Sequence, residues 1–543
     1  MRQYITTAID YPNAPPHMGH VMEKVLADVT ARWFRLRGDE VRFQIGTDEH
    51  GVKIQRKAEE ENITPQVLVD RNVPLFQDLY RRLQISSDDF IRTTDRRRHW
   101  PTVQALWKKL VEAGVLEKRT YTGLYCAGCE RFMTKRDLVD GKCPNHNTAP
   151  EEVSEENYFF LLSKDSAWLK KLLAAKKGGY AIVPASRAQE TLSLIESGLE
   201  DVSFSRPKSS LAWGIPVPDD PDHVMYVWCD ALTNYISGID IFGLSKGPFD
   251  SASLRSGSFD SSKNGPRPQA EDHERGPQGR VEWWDDATVT HVIGKDIARF
   301  HALIWPAMLK HAGVRTPDRL LIHGFLTSEG QKMSKSIGNV VMPEEVLQKF
   351  NGNPDPLRFY LSHEVPVGND GDFSWKRIEE LYDGILRNKL GNLLNRLLVL
   401  LKKNKLDLDI GSESVFIWGG DTCWDRYTDS MNEFDLWSGI HFVFDWVDAC
   451  DKYIAEREPW KMKDSFEIQM VLSVLAENLR HISLMLLPFI PQTAQEISKQ
   501  LGVPYADRMR EKDFQITAEM KKWGGEKSWK KVGEPRKLFE PLS

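Results

Sequence analysis

The stretch QYITTAIDYPNAPPHMGH, Gln3–His20, decides the fold. Its first part, QYITTAIDY, is rich in β-branched and aromatic side chains and predicts a strand. Pro12–Gly19 is a turn rich in Pro and Gly, and from His20 to about Arg37 the apolar spacing becomes helical. Strand, short loop and helix in that order set the unpaired N–H groups of a helix start beside a strand end, where phosphate binds. Farther on, VRFQIGTD (Val41–Asp48) predicts a second strand and Val52–Asn62 a second helix. This rhythm implies an α/β fold with a doubly wound parallel sheet, whose ligands lie at the C-terminal ends of the strands. Asp48 and the His17 loop both fall at such ends.

Working outward, the alternation fades between Leu116 and Ile215 and returns at HVMYVW, so an insertion interrupts the sheet. THVIGKDIARFHALIWPAML predicts another strand and helix, and LLIHGF leads into a loop around Lys332. Beyond Lys376 helical periodicity dominates, as in ILRNKLGNLLNRLLVLL and MVLSVLAENLRHISLMLLPFI. The expected organisation is a Rossmann-type domain in two halves, 1–115 and 223–325, around a connective insertion at 116–222. A loop region at 326–376 and an α-helical domain at 377–543 follow. Residues 243–280 hold too few apolar side chains for a core and read as a surface insertion.

Composition narrows the class. At 543 residues, 41% hydrophobic and 28% charged, the chain is an ordinary multidomain globular protein. No apolar run is long enough to span a membrane, and the start MRQYITTAID resembles neither a signal peptide nor a transit segment, which makes the cytoplasm the expected compartment. A net charge of -6 argues against gripping nucleic acid by bulk electrostatics, so any RNA contact is local.

Three of the six cysteines cluster as Cys126-x2-Cys129-x13-Cys143-x2-His146. Two knuckles of thiolate and imidazole donors supply the tetrahedral set of a structural zinc, and four protein ligands leave no open position for catalysis. One zinc is expected there, and the insertion is expected to need it to fold.

Two motifs carry the chemistry. His17-Met18-Gly19-His20 opens a helix after a strand, with Gly19 letting a ligand approach the backbone and two imidazoles as donors. Lys332-Met333-Ser334-Lys335-Ser336, between Gly330 and Gly338, is a basic loop suited to neutralising a pentavalent phosphorus and departing pyrophosphate. HxGH with KMSKS resembles the class I aminoacyl-tRNA synthetases. AIDYPN, GTDEHG, YVWCDALTNY, HVIGKDIARFH, NLLNR and EREPW resemble the methionine-specific family, in order and over nearly the whole chain.

That resemblance implies a methionine–tRNA ligase using L-methionine, Mg-ATP and tRNA(Met), initiator tRNA included. His17, His20, Lys332 and Lys335 would stabilise the transition state. Asp48 would hold the substrate ammonium, and Ile9, Tyr11, Trp228, Ala231, Tyr235, Ile297 and His301 would enclose the side chain, with the Tyr235 hydroxyl as a donor. Leu232 stands where many relatives have proline. Discrimination by one methylene is limited to ~1–3 kcal/mol, so homocysteine and norleucine are expected competitors, and the family implies rejection of homocysteine by cyclisation. ATP would also meet Gly19, Gly294, Asp296, Met333 and Ser334, with Lys295 near phosphate. Asn392, Arg396, Pro459 and Trp460 match anticodon-reading positions, where an unpaired base stacks on an aromatic ring. A monomer is expected, since no OB-type module follows the helical region.

Three other readings stand beside this one. A valine, isoleucine or leucine enzyme would carry a large editing insertion, and a cysteine enzyme would want zinc in its amino-acid pocket. A smaller HxGH nucleotidyltransferase would not need the helical domain. A silent tRNA-binding paralogue is opposed by the intact HMGH, KMSKS and Asp48.

Overall fold

Arg2–Thr7 (β1) folds as the strand its β-branched residues predict, with Tyr4 and Ile5 wholly buried. In this computed structural model it sits in a sheet with Glu40–Thr47 (β2), Asp89–Arg92 (β3), Ala181–Val183 (β4), Ala287–Gly294 (β5) and Arg319–His323 (β6). The order is β3-β2-β1-β5-β6-β4, and β1/β5, β2/β3 and β6/β4 pair in parallel. The structure describes residues 1–126, 131–133, 137–144, 147–175, 178–245, 282–332, 340–411, 415–526 and 529–542, and only the backbone of Arg131, Gln331 and Lys332. Most of the 243–280 insertion lies outside these residues.

The chain divides into two compact units. The first comprises Met1–Pro15, Arg42–Gln77 and Ser87–Ile322, and the second Pro16–Val41, Asp78–Ser86 and His323–Ser543. The helix that HMGH opens, Met18–Leu36 (α1), therefore groups with the helical half of the chain. Within this unit a buried ion pair ties the helix to the helical half, as Arg358 lies 2.8 Å from Asp28 and donates to the carbonyls of Phe489 and Pro488 at 2.7 and 3.0 Å. Removing one partner of such a pair costs ~3–5 kcal/mol, because the other charge is left buried and alone.

Within the expected insertion, Leu116–Cys126 pairs antiparallel with Glu151–Phe160, with Arg131–Met133 and Val202–Ser203 on the two edges. Ala181–Val183 leaves this sheet and becomes the edge strand β4, a placement that three residues of sequence do not announce. The strand expected at HVMYVW forms at Asp220–Met225, but antiparallel in a small sheet with Ser205–Pro207 and Pro216–Val217. Its chain then turns into the short helix Val227–Leu232 (α2). After β5 the expected helix forms in pieces, a 3-10 turn at Lys295–Ile297, a π turn at Phe300–Ile304 and an α-helix at Trp305–Ala312.

The second unit is helical after Trp375, as expected. Asn392–Asn404 (α3) buries Leu393, Leu394, Leu397, Leu398 and Leu401, one amphipathic face. It packs beside Leu436–Arg457 (α4) and Ser465–Leu486 (α5). Among the described residues no helix is long and apolar enough to cross a membrane.

Candidate active site

The C-terminal ends of β1, β2 and β5 carry the segments Ala8–Tyr11, Asp48–Gly51 and Gly294–Ile297. Past its last paired residue β1 keeps contact with β2, since Asp10 N–H donates to the Gly46 carbonyl at 2.9 Å and Asp48 N–H to the Asp10 carbonyl at 2.8 Å. Gly46 makes this possible. A Cβ there would stand 2.2 Å from the Ile91 carbonyl oxygen and 3.0 Å from the Ile9 methyl. Asp48, nearly buried, begins a loop whose next two residues are anchored. Glu49 takes both arms of Arg92 at 2.7 and 2.9 Å, and Gly51 turns the chain at φ +108°. The Tyr11 hydroxyl donates to the His50 carbonyl at 2.6 Å.

Most of the residues expected to enclose the substrate side chain lie in two apolar clusters of this unit. Ile9, Tyr11, Trp228 and Ala231 share one apolar cluster, and Trp228, Tyr235 and Ile297 share another, with Trp228 common to both. The Trp228 ring stacks on Phe300 at 3.4 Å and 7°. Its Nε1 is buried with no hydrogen-bond acceptor among the described residues. Tyr235 and His301 are buried, their hydroxyl oxygen and Nε2 2.6 Å apart, while His301 Nδ1 lies 3.0 Å from the Ile297 carbonyl. A carbonyl only accepts, so the network assigns the His301 proton to Nδ1 and the Tyr235 proton to the bond with Nε2. The hydroxyl expected to donate to the substrate thus donates to His301.

Behind Tyr235 lies His291, with ring centres 4.2 Å apart. Burial and the neighbouring His301 hold His291 well below the ordinary histidine range. It is therefore neutral, accepting from Trp305 Nε1 at 3.1 Å and donating to Thr6 Oγ1 at 2.6 Å. Asp296 is exposed on the 3-10 turn and Gly294 ends β5 in extended conformation.

In the second unit the HMGH segment is a reciprocal cap. His17 Nδ1 accepts from Gly19 N–H at 3.1 Å, and the His17 N–H donates to His20 Nδ1 at 3.1 Å. Here two histidines perform the exchange usually made by Ser or Thr with Glu. Both rings consequently carry their proton on Nε2, and they lie 3.9 Å apart. Burial, then the Lys24 charge, pushes His20 down to about 3, so it acts as a neutral donor rather than a cation. One turn on, Lys24 is buried against Glu23 at 2.7 Å, and His323 Nε2 lies 3.2 Å from the same carboxylate. Lys332 ends the short strand Gln331–Lys332, paired with Leu326–Ser328. The Lys332 side chain, Met333, Ser334 and Lys335 lie outside the described residues.

Comparison with known proteins decides the family. The family model for class I tRNA synthetases (M) matches residues 3–152 and 145–398, and that for the anticodon-binding domain of tRNA ligases matches 423–537. The methionine–tRNA ligase of Brucella suis is 37% identical over 516 residues, covering 93% of this chain and 92% of that one. That of Rhizobium meliloti is 38% identical, covering 92% of each. The chain belongs to the class I methionine–tRNA ligases. Among solved structures, Mycobacterium tuberculosis methionyl-tRNA synthetase in complex with methionyl-adenylate gives a TM-score of 0.82 at 32% identity, over 99% of this chain and 100% of that one. Its apo form gives 0.76 at 30% identity, over 100% and 98%.

Asn392 and Arg396 stand one turn apart on α3, opposite its leucines. α4 ends with Glu458 in a left-handed conformation, which turns the chain so that Pro459 is buried and Trp460 keeps 44% of its surface exposed. The Arg396 guanidinium lies 5.4 Å from the Trp460 ring centre and 3.5 Å from Asp451. Trp460 is thus not a core residue.

Of the four ligase residues expected to hold zinc, Cys126 and Cys143 are buried together with Met133, with the half-buried Leu138 packed against them, in no disulfide. Cys129 and His146 lie outside the described residues. Sequence reasoning passed over Phe300, His291, His50 and Asp230. The signal for Phe300 was its place beside His301, and for His50 its place inside GTDEHG. Asp230 lies inside YVWCDALTNY and His291 opens HVIGKDIARFH, but their partners lie elsewhere along the chain and nothing in those motifs names them.

Proposed function

We propose that this methionine–tRNA ligase divides its work among the residues as follows. Asp48 binds the ammonium of L-methionine, and Ile9, Tyr11, Trp228, Ala231, Tyr235, Ile297 and His301 enclose the side chain. The observation that carries this is the closed aromatic wall at the strand ends, where Trp228 stacks on Phe300 and Tyr235 is tied to His301. A flexible thioether suits such a polarizable enclosure.

ATP binds along Gly19, Gly294, Asp296, Met333 and Ser334, with magnesium supplying charge neutralisation on its phosphates. The methionine carboxylate attacks the α-phosphorus, and the bond to pyrophosphate breaks. His17 and His20, as neutral Nε2–H donors on a helix N-terminus, and Lys332 and Lys335, as cations, stabilise the charge that develops. The 2′-hydroxyl of the tRNA terminal adenosine then attacks the adenylate carbonyl, giving methionyl-tRNA and AMP. No side chain serves as nucleophile, and positioning accounts for most of the acceleration.

Asn392, Arg396, Pro459 and Trp460 read the unpaired CAU anticodon of tRNA(Met), initiator tRNA included, by stacking and base-edge bonds. One structural zinc on Cys126, Cys129, Cys143 and His146 organises the insertion. The two described thiols fit that group, since they are buried as a pair where thiolates need a cation. The same reading takes the enzyme as a cytoplasmic monomer, which sedimentation tests.

The deciding experiment is methionine-dependent ATP–pyrophosphate exchange across the twenty amino acids, with Lys335→Ala as control. Exchange with methionine alone, lost in the variant, is the expected result. Exchange with another amino acid overturns the pocket, and none in a folded, zinc-loaded sample overturns the activity.

A further inference from the structure

Two carboxylates stand on the elements that form the proposed methionine site. Asp48 begins the loop after β2. Asp230 lies on α2 between the pocket residues Trp228 and Ala231 and is wholly buried. Asp230 binds two histidines from opposite sides: Oδ2 accepts from His50 Nδ1 at 2.6 Å, and Oδ1 from His99 Nε2 at 2.6 Å. His99 is fixed in turn by Ser237, whose Oγ lies 2.7 Å from its Nδ1. The two imidazoles hold Asp230 in its ionised form against burial, keeping its carboxyl below the ordinary range.

Neither element it joins is oriented by regular secondary structure alone. α2 has six residues, too few for a helix to persist without tertiary contacts. The Asp48 loop is tied at its start by the Asp48 N–H bond to Asp10, but it leaves regular pairing at Glu49–Gly51. Its side chains then diverge. Glu49 turns to Arg92, Thr47 and Thr94, while His50 turns to α2. Trp213 and Tyr11 occupy the carbonyls of Glu49 and His50, both at 2.6 Å, which fixes the loop's depth. The bond from His50 to Asp230 sets the loop against the helix that carries the pocket wall.

We propose that Asp230 is a positioning residue that couples recognition of the substrate ammonium at Asp48 to recognition of the side chain at Trp228 and Ala231. The coupling presupposes that Asp48 takes the ammonium. Because a carboxylate only accepts, it can serve both N–H donors at once, whereas the isosteric amide offers one neutral oxygen, which holds the first imidazole without charge assistance, and an NH2, to which the second imidazole must change tautomer or lose its bond. The loop and the helix then lose their common register without loss of volume.

The test pairs Asp230→Asn with two ligands in the pyrophosphate-exchange reaction. One is L-methionine, and the other is 4-(methylthio)butanoate, which keeps the side chain and carboxylate but lacks the ammonium. The methionine KM is expected to rise about ten-fold, the loss of one charge-assisted hydrogen bond, with kcat changed by less than about two-fold. Inhibition by the deaminated compound is expected to stay within about two-fold of wild type. Equal weakening of both ligands, a fall in kcat alone, or no change overturns the proposal.

Asp48→Asn run alongside separates the two ideas. If it leaves the methionine KM intact, the ammonium assignment fails. If it raises that KM while Asp230→Asn does not, the coupling alone fails. Should Asp230→Asn not fold, His50→Leu removes the loop side of the bond while His99 still holds Asp230. The same KM-selective pattern is expected, and a lowered melting temperature with an unchanged ligand ratio overturns the coupling.

Discussion

At the proposed methionine pocket Tyr235, His301 and His291 are buried, and each holds a polar partner within 3.1 Å. On the proposed anticodon face Trp460 is 44% exposed, and Arg396 reaches it at 5.4 Å and Asp451 only at 3.5 Å. On the proposed assignments, the two substrates account for the difference. Methionine offers few polar atoms and must be measured by an enclosing shape, so the walls are locked before it arrives. An anticodon base brings a wide face and an edge of its own, so an exposed ring beside a cation suffices. Pocket substitutions are thus expected to disturb stability and both reaction steps, and anticodon-face substitutions to disturb tRNA alone.

The largest effect is expected from Trp228→Ala, which removes the ring stacked on Phe300. Truncating a core aromatic costs ~3–5 kcal/mol, and Trp228, being only part-buried, belongs at the lower end. Thermal unfolding and pyrophosphate exchange read it together. A variant as stable as wild type with a normal methionine KM would break the comparison on the pocket side.

Next comes pH, which probes the helical scaffold beneath the anticodon face. His481 is buried on α5, where burial and then the Arg480 charge push it down to about 4 from the ordinary 6.5. Unfolded chains take up this proton between those values and the folded one does not. Stability is therefore complete above 6.5 and falls as the pH drops toward 4, by about 3 kcal/mol for this group. Denaturant midpoints at pH 7 and 4.5 measure it, and His481→Gln should flatten the slope.

Trp460→Ala is expected to weaken tRNA binding by ~1–3 kcal/mol, the contribution of one stacked base, leaving pyrophosphate exchange untouched. Loss of exchange in that variant would erase the distinction between the two faces. The smallest effect is expected from Tyr235→Phe, which deletes the donor to His301 but keeps the ring. About 1 kcal/mol in the methionine KM is expected. A larger loss would mean that the hydroxyl serves the substrate directly rather than through His301.

The two faces also differ in how far the sequence exposes them. HMGH, KMSKS and the spacing of Asn392 and Arg396 are local patterns, readable because their residues lie within a turn of each other in sequence. Boundaries such as α1 at Met18–Leu36 against an expected start at His20 shift by a residue or two, since caps settle helix ends. The HMGH cap itself, two histidines exchanging backbone bonds, needed φ and ψ to be seen.

The order of strand, loop and helix, the parallel sheet and the helical second half followed from the sequence. Periodicity and propensity act over a few residues, so a linear text carries them. Only the tertiary structure decided that Ala181–Val183 is an edge strand of the main sheet, that α1 groups with the helical half and is tied to it by Asp28 and Arg358, and that Asp230 stands between His50 and His99. Those pairings join residues up to 330 positions apart, and which buried charge finds which partner depends on desolvation and packing that no local pattern encodes.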